Sequence, residues 1–254
     1  MSVLKVENII KIYNSKGANN STKALNGVSF SVAPGEFIGI MGPSGSGKTS
    51  LLNILSGINK PTSGCVQIDN KNINNMSEDE LALFRRQKLG FVFQEFNLLD
   101  SLTLKENIML PMILDKKSNN EMNNKVDEVM STFEIDKIGE KYPYEVSGGQ
   151  KQRAAVSRAV VNEPVIVFAD EPTGNLDSKS ANSVMKLFKK MNDELNSTVL
   201  MVTHDALAAS FCKKIIFIKD GTINMQIASN GNRKEFFDKI LNCLAVIGGE
   251  NNDI

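Results

Sequence analysis

The stretch Gly42 to Ser50, GPSGSGKTS, constrains this chain more than any other. It follows the apolar run Phe37-Ile38-Gly39-Ile40-Met41, which reads as a buried strand. It precedes Leu51, Leu52, Ile54 and Leu55, spaced for the buried face of a helix. Strand, glycine-rich loop and helix, in that order, is the setting a phosphate-binding loop needs. The glycines let the backbone curl and keep side chains out of a ligand's way. The curl aims N–H groups inward, and the new helix adds its positive end. Lys48 can then reach the outer phosphates of a nucleotide, and the Thr49 hydroxyl can ligate Mg²⁺. The competing reading is a tight Gly/Ser turn that ends in Lys-Thr.

Composition narrows the partners. Lys plus Arg and Asp plus Glu number 29 each, so the chain is formally neutral and a nucleic-acid partner is not expected. Its 254 residues suit one large α/β domain or two small ones, and 41% hydrophobic with 23% charged residues is ordinary globular composition. The opening MSVLKVENIIKIYN carries charges through its apolar positions and is not a signal peptide. No apolar run approaches the roughly 20 residues that span a bilayer. These features predict a cytoplasmic protein whose membrane role runs through a partner. Cys65, Cys212 and Cys243 fit neither a disulfide framework nor a zinc site.

Taken in order, Val28 to Val32 alternates as a half-buried strand after a polar loop at Ser15 to Thr22. Tyr13 is either a partly buried aromatic or a platform for a nucleotide base. Cys65 to Ile68 and Leu89 to Phe93 read as strands, the second ending at Gln94; Ser77 and Glu80 form a capping box between them. From Leu98 the chain becomes helical. Pro111 is expected to limit or kink the first helix, and Lys116 to Asn124 to form an exposed loop. Val126, Val129, Met130 and Phe133 make an apolar stripe. Val146-Ser147-Gly148-Gly149-Gln150 opens a further helix; its glycines are a plain helix start or a place where a backbone or phosphate comes close. Val165 to Ala169 is a strand buried on both faces, ending in the adjacent carboxylates Asp170 and Glu171. Such a pair is costly unless a cation or water uses it. Asp177 or Ser178 caps the next helix, Thr198 to Val202 is a core strand ending beside His204, the one histidine, and a hairpin turns at Asp220-Gly221.

With these residues in place, the sequence resembles the ATPase subunit of an ABC transporter over about residues 3 to 228. The resemblance rests on the Walker A loop Gly42–Thr49, Gln94, the signature VSGGQ at Val146–Gln150, the Walker B run ending at Asp170 and Glu171, the GNLD at Gly174–Asp177, and His204. It implies an α/β P-loop NTPase: a mostly parallel core sheet, an N-terminal antiparallel β subdomain and an inserted helical subdomain at about 98–162. It implies ATP and Mg²⁺ as ligands. On one chain the nucleotide would meet Tyr13, Gly42, Ser44, Gly45, Ser46, Gly47, Lys48, Thr49 and Ser50. The metal would meet Thr49, Gln94 and Asp170. Glu171 would be general base, with His204, Gln94 and Lys48 beside the γ-phosphate. Ser147, Gly148, Gly149, Gln150 and Asp177 would complete the site of a second copy, head to tail. Val146 replaces the usual Leu, and Gly174-Asn175 replaces Ser-Ala, a form found in the macrolide-export and lipoprotein-release group.

Two stretches extend the likeness. Asp100 to Asn107 follows Gln94 as in that export group, where the region meets the membrane subunit; Phe96, Leu98 and Leu99 are expected to be exposed there. The tail at 231–254 resembles that of ATPases serving bacitracin- and lantibiotic-resistance transporters. Its Phe236, Phe237, Ile240, Leu241, Leu244 and Ile247 are expected on one helical face, packed on this domain or on a partner. The implied function is to power a membrane permease for antimicrobial peptides. The alternative is a non-transporting regulatory or mechanical ATPase, of the cell-division or lipoprotein-release type.

Overall fold

The computed structural model describes residues 2–14 and 21–249; most of the expected polar loop at 15–22 falls outside them. β1 (Leu4–Asn14), β2 (Ser21–Val32), β4 (Ser63–Ile68) and β5 (Lys71–Asn72) form an antiparallel sheet in the order β2-β1-β4-β5. β3 (Phe37–Met41), β6 (Leu89–Val92), β7 (Ile166–Asp170), β8 (Val199–Val202), β9 (Lys214–Lys219) and β10 (Thr222–Ala228) form the second, in the order β10-β9-β3-β8-β7-β6. That sheet is parallel except for β10, which returns antiparallel on β9.

Two-residue periodicity divides the second sheet between two cores. Ile38, Ile40, Phe168, Leu200, Val202, Ile216 and Ile218 pack with α1 (Lys48–Leu55) and the antiparallel sheet. Phe37, Met41, Val167, Val199, Met201 and Phe217 pack with the helices of the other side. Those helices include α3 (Leu104–Leu114), α4 (Asn119–Thr132), α5 (Gly148–Val160) and α6 (Ser178–Glu194). α2 (Glu78–Lys88) precedes β6, and α3, α4 and α5 lie in the chain between β6 and β7. α7 (Ala206–Ala209) and α8 (Arg233–Gly249) complete the chain.

Several expectations need correction. β2 begins at Ser21, well before the alternating Val28–Val32, because its polar half pairs with β1 although it buries little. α3 runs through Pro111 to Leu114. Proline removes one donor, and burial of Leu104, Ile108 and Met112 along one stripe carries the helix past it. The Asn-rich stretch is not all loop: α4 starts at Asn119, capped by the Ser118 hydroxyl and anchored by buried Met122. Of the apolar trio after Gln94, only Leu99 is exposed, at 48%; Leu98 packs on the core and Phe96 is half-buried. In α8, Phe236, Ile240 and Ile247 are buried and Phe237 and Leu244 pack against the core, but Leu241 lies off this face at 43% exposure.

Candidate functional site

β3 delivers the chain into the phosphate loop at the top of the sheet's centre. A Cβ on Gly42 would lie 2.0 Å from the Ile218 carbonyl oxygen, so the loop needs glycine there for space. Gly47 is needed for conformation: at φ +101 it starts α1 in the left-handed region, and a Cβ would meet Ala24 O at 2.4 Å. No side chain caps α1, and its first turn carries no acid. Ser46 Oγ is buried without a hydrogen-bond partner. Lys48 folds back over the loop and donates to Gly42 O at 2.9 Å and Pro43 O at 2.8 Å. An open helix terminus, an orphaned buried hydroxyl and an ammonium paired only with carbonyls are what a phosphate ligand would satisfy. Gly45 faces open space beside them, and Ser44 and Thr49 are exposed.

The carboxylates come from the neighbouring end of β7. Asp170 is its last residue, and Glu171 takes φ +44, strained for a non-glycine residue. The Glu171 N–H still donates to Val202 O at 2.9 Å, which holds the strained residue against β8. Burial pushes the Asp170 carboxyl up, Glu171 pushes it further, and Lys48 opposes both. The same set acts on Lys48: burial lowers its ammonium, while Glu171 and then Asp170 raise it. Lys48, Asp170 and Glu171 therefore share one electrostatic site. His204, just past β8, joins it through Nδ1, 2.6 Å from Glu171 Oε2. Among the described residues no three His, Cys, Asp or Glu side chains could hold a metal by themselves. A divalent ion here would need oxygen from a phosphate and a hydroxyl, as Thr49 at the start of α1 offers.

Tyr13 stands at the loop's edge. Its hydroxyl donates to Ser50 Oγ at 3.4 Å, and Lys11 Nζ lies 4.9 Å from its ring centroid. Gln94, past the end of β6, is exposed and donates through Nε2 to Asn175 Oδ1 at 3.2 Å.

The signature residues gather elsewhere. Ser147 caps α5 in a reciprocal box: Gln150 N donates to Ser147 Oγ at 3.3 Å, and Ser147 N to Gln150 Oε1 at 2.9 Å. The glycines admit close approach, and what approaches is this chain's own α6 region. A Cβ on Gly149 would meet Ser180 Cβ at 3.2 Å, and one on Gly148 would meet Leu176 at 3.2 Å. Asp177 caps α6 by accepting from Lys179 N and Ser180 N.

Sequence reasoning missed Gln152 and Asn175. Gln152 is fully buried and bridges Pro172 O at 2.8 Å to Phe93 O at 3.4 Å. Its signal was position: it stands three and four residues before Ala155 and Val156, on the buried stripe. For Asn175 the signal was the unusual Gly-Asn pair itself.

The model of a family described as ABC transporter matches residues 25–174. The chain is 52% identical over 250 residues to the uncharacterized ABC transporter ATP-binding protein YvcR of Bacillus subtilis (strain 168), covering 98% of this chain and 96% of that one. It is 47% identical over 254 residues to the bacitracin export ATP-binding protein BceA of Halalkalibacterium halodurans, covering 100% of both. Among solved structures, the dimeric post-hydrolysis state of the ATP-binding cassette MJ0796, bound to ADP and Pi, matches with TM-score 0.81 and 42% identity. That match covers 90% of this chain and 100% of that one, and MJ0796 is a protein of Methanocaldococcus jannaschii.

Proposed function

The chain belongs to the ABC transporter family as an ATP-binding, ATP-hydrolysing subunit, and we propose that two copies, head to tail, power a membrane permease that handles bacitracin- or lantibiotic-like peptides. The observation that carries the ATP site is the uncapped start of α1, with orphaned Ser46 and folded-back Lys48 facing Asp170 and Glu171. The peptide reading is supported by the match to BceA, which spans the whole of both chains, tail included.

In this mechanism the loop N–H groups and Lys48 bind the outer phosphates, and positioning with charge neutralisation does most of the work. Thr49, Gln94 and Asp170 would hold Mg²⁺, which supplies neutralisation of the phosphate charge. Glu171 takes the proton of the attacking water. His204, 2.6 Å away, fixes the Glu171 carboxylate and faces the γ-phosphate once ATP is bound. Ser147, Gly149 and their neighbours close over the nucleotide of the other copy, and Tyr13 stacks on the base. The complex would sit on the inner face of the cell membrane, and no helix among the described residues is long and apolar enough to cross it.

The permease would dock beside Gln94. A groove of about 320 Å³ opens there, lined by Phe91, Phe93, Leu110, Pro111, Leu114 and Arg158. In the segment that follows Gln94, Leu99 is exposed and suited to a test, whereas a charge at half-buried Leu98 would disturb the core. Leu99→Asp should leave ATP binding intact, abolish co-purification with the permease from membranes, and sensitise cells to bacitracin-like or lantibiotic peptides. Loss of co-purification with unchanged susceptibility to every such peptide would reject the resistance reading.

A further inference from the structure

Gln94 and Asn175, 81 residues apart, hold one another reciprocally. Gln94 Nε2 donates to Asn175 Oδ1 at 3.2 Å, and Asn175 Nδ2 donates to the Gln94 carbonyl oxygen at 3.2 Å. The direction of these bonds follows from chemistry. A backbone carbonyl can only accept, so Asn175 must turn its nitrogen toward it. The Asn175 oxygen then faces Gln94, which has to answer with Nε2–H. Gln94 Oε1 is the end left over, and oxygen is the atom that a metal ion or an attacking water needs. Gly174 makes the pairing possible. A Cβ there would lie 2.8 Å from Gln94 Nε2 and 3.0 Å from its Cδ, and Gly174 has no left-handed φ, so space is the requirement. The two backbone segments are already fastened from α5, because Gln152 bridges Phe93 O and Pro172 O. What Asn175 adds to that frame is the orientation of one amide.

We propose that Asn175 is a positioning residue for ATP hydrolysis: by taking Gln94 Nε2 across Gly174, it reserves Gln94 Oε1 for the reacting end of the nucleotide. The proposal rests on the ATPase site described above, with Gln94 in it. Its test measures kcat and KM for ATP in the chain assembled with its permease. Asn175→Ala should lower kcat about tenfold at unchanged KM, the scale of a misplaced catalytic group. In a Gln94→Ala background the same substitution should add nothing, because Asn175 acts through Gln94. Asn175→Asp, which sets a second acceptor against the Gln94 carbonyl, should not restore the rate. Gly174→Ala should reproduce it by displacing the Gln94 side chain. A second arm needs no nucleotide: the side-chain amide signal of Gln94, assigned by its disappearance in Gln94→Ala, should shift and exchange faster in Asn175→Ala. Multiplicative effects of the two alanines, or an unmoved Gln94 amide signal, overturns the proposal while leaving the ATPase reading in place. A wild-type complex that does not hydrolyse ATP overturns that reading instead, and the amide signal still decides whether Asn175 holds Gln94.

Discussion

The phosphate loop and the signature segment each begin a helix, yet they leave its first turn in opposite states. α1 starts from Gly47 with no side-chain cap, beside a buried Ser46 hydroxyl that has no partner. α5 starts from Ser147 with a complete capping box, in which Gln150 N donates to Ser147 Oγ and Ser147 N to Gln150 Oε1. The first terminus is uncapped and, beside its buried unpaired hydroxyl, suits an anion. The second is closed and exposed, and stable without one. One chain therefore carries one helix start suited to a phosphate and another whose side chains already cap it. On the proposed head-to-tail reading, the signature segment would act on a phosphate only when another copy presents one.

The largest expected effect breaks the chemistry of the open half while keeping its binding. Glu171→Gln removes the proposed base but keeps its size, and the Asp170, Lys48 and Ser46 cradle stays. Turnover should fall by at least about 10²-fold, the scale of a lost general base, while ATP still binds. The arrested protein should run as an ATP-dependent dimer on gel filtration. Turnover near the wild-type rate would remove Glu171 from its assigned role.

A smaller effect separates the two duties of the closed half. Ser147→Ala should cost the isolated chain about 1 kcal/mol through the lost cap, read from denaturant unfolding. Placed in the Glu171→Gln protein, it should also weaken the ATP-dependent dimer. If the stability loss appears and the dimer persists at the same protein concentration, Ser147 is only a cap.

The same contrast explains what the sequence could and could not convey. The open half was legible because its chemistry is local: strand, glycines, Lys48 and Thr49 follow one another, and the two-sided apolar run before Asp170 identifies a central strand. The capped helix start at Ser77 was legible for the same reason, and that at Asp177 was, with Ser178 left open beside it. Pro111 and the Asn-rich start of α4 were misjudged because burial of Met112 and Met122, which depends on the rest of the fold, overrode local propensity. The contact of His204 with Glu171, and that of Gln94 with Asn175, join segments far apart in the chain. Residue types suggested each participant, but only the strand order brings them together. Leu98 shows the reverse error: a short apolar run beside a polar loop looks exposed until its core neighbours are known.

The smallest expected effect tests whether charge near the closed half is as weak as its exposure implies. Arg153 on α5 donates to Glu134 Oε2 at 2.6 Å, and also to Phe133 O at 3.1 Å and Ser183 Oγ at 2.7 Å. The Arg153 hydrogen bond, then its charge, holds the Glu134 carboxyl below its ordinary value of 4.5. A lowered carboxyl contributes stability in full above that ordinary value and loses it as pH falls through the folded value. The Glu134 side chain is 67% exposed, so screening leaves at most about 0.5 kcal/mol. Arg153 also keeps two other acceptors when Glu134 is replaced. Glu134→Gln should therefore lower Tm only slightly at pH 7, and the difference should shrink as pH falls below the ordinary carboxyl value and in high salt. Asp170 in the open half runs the other way, since burial raises its carboxyl and makes its ionised form the costly one. A large, salt-insensitive loss for Glu134→Gln would mean that the signature end of α5 is held by charge as tightly as the phosphate loop, and the contrast between the two helix starts would fail.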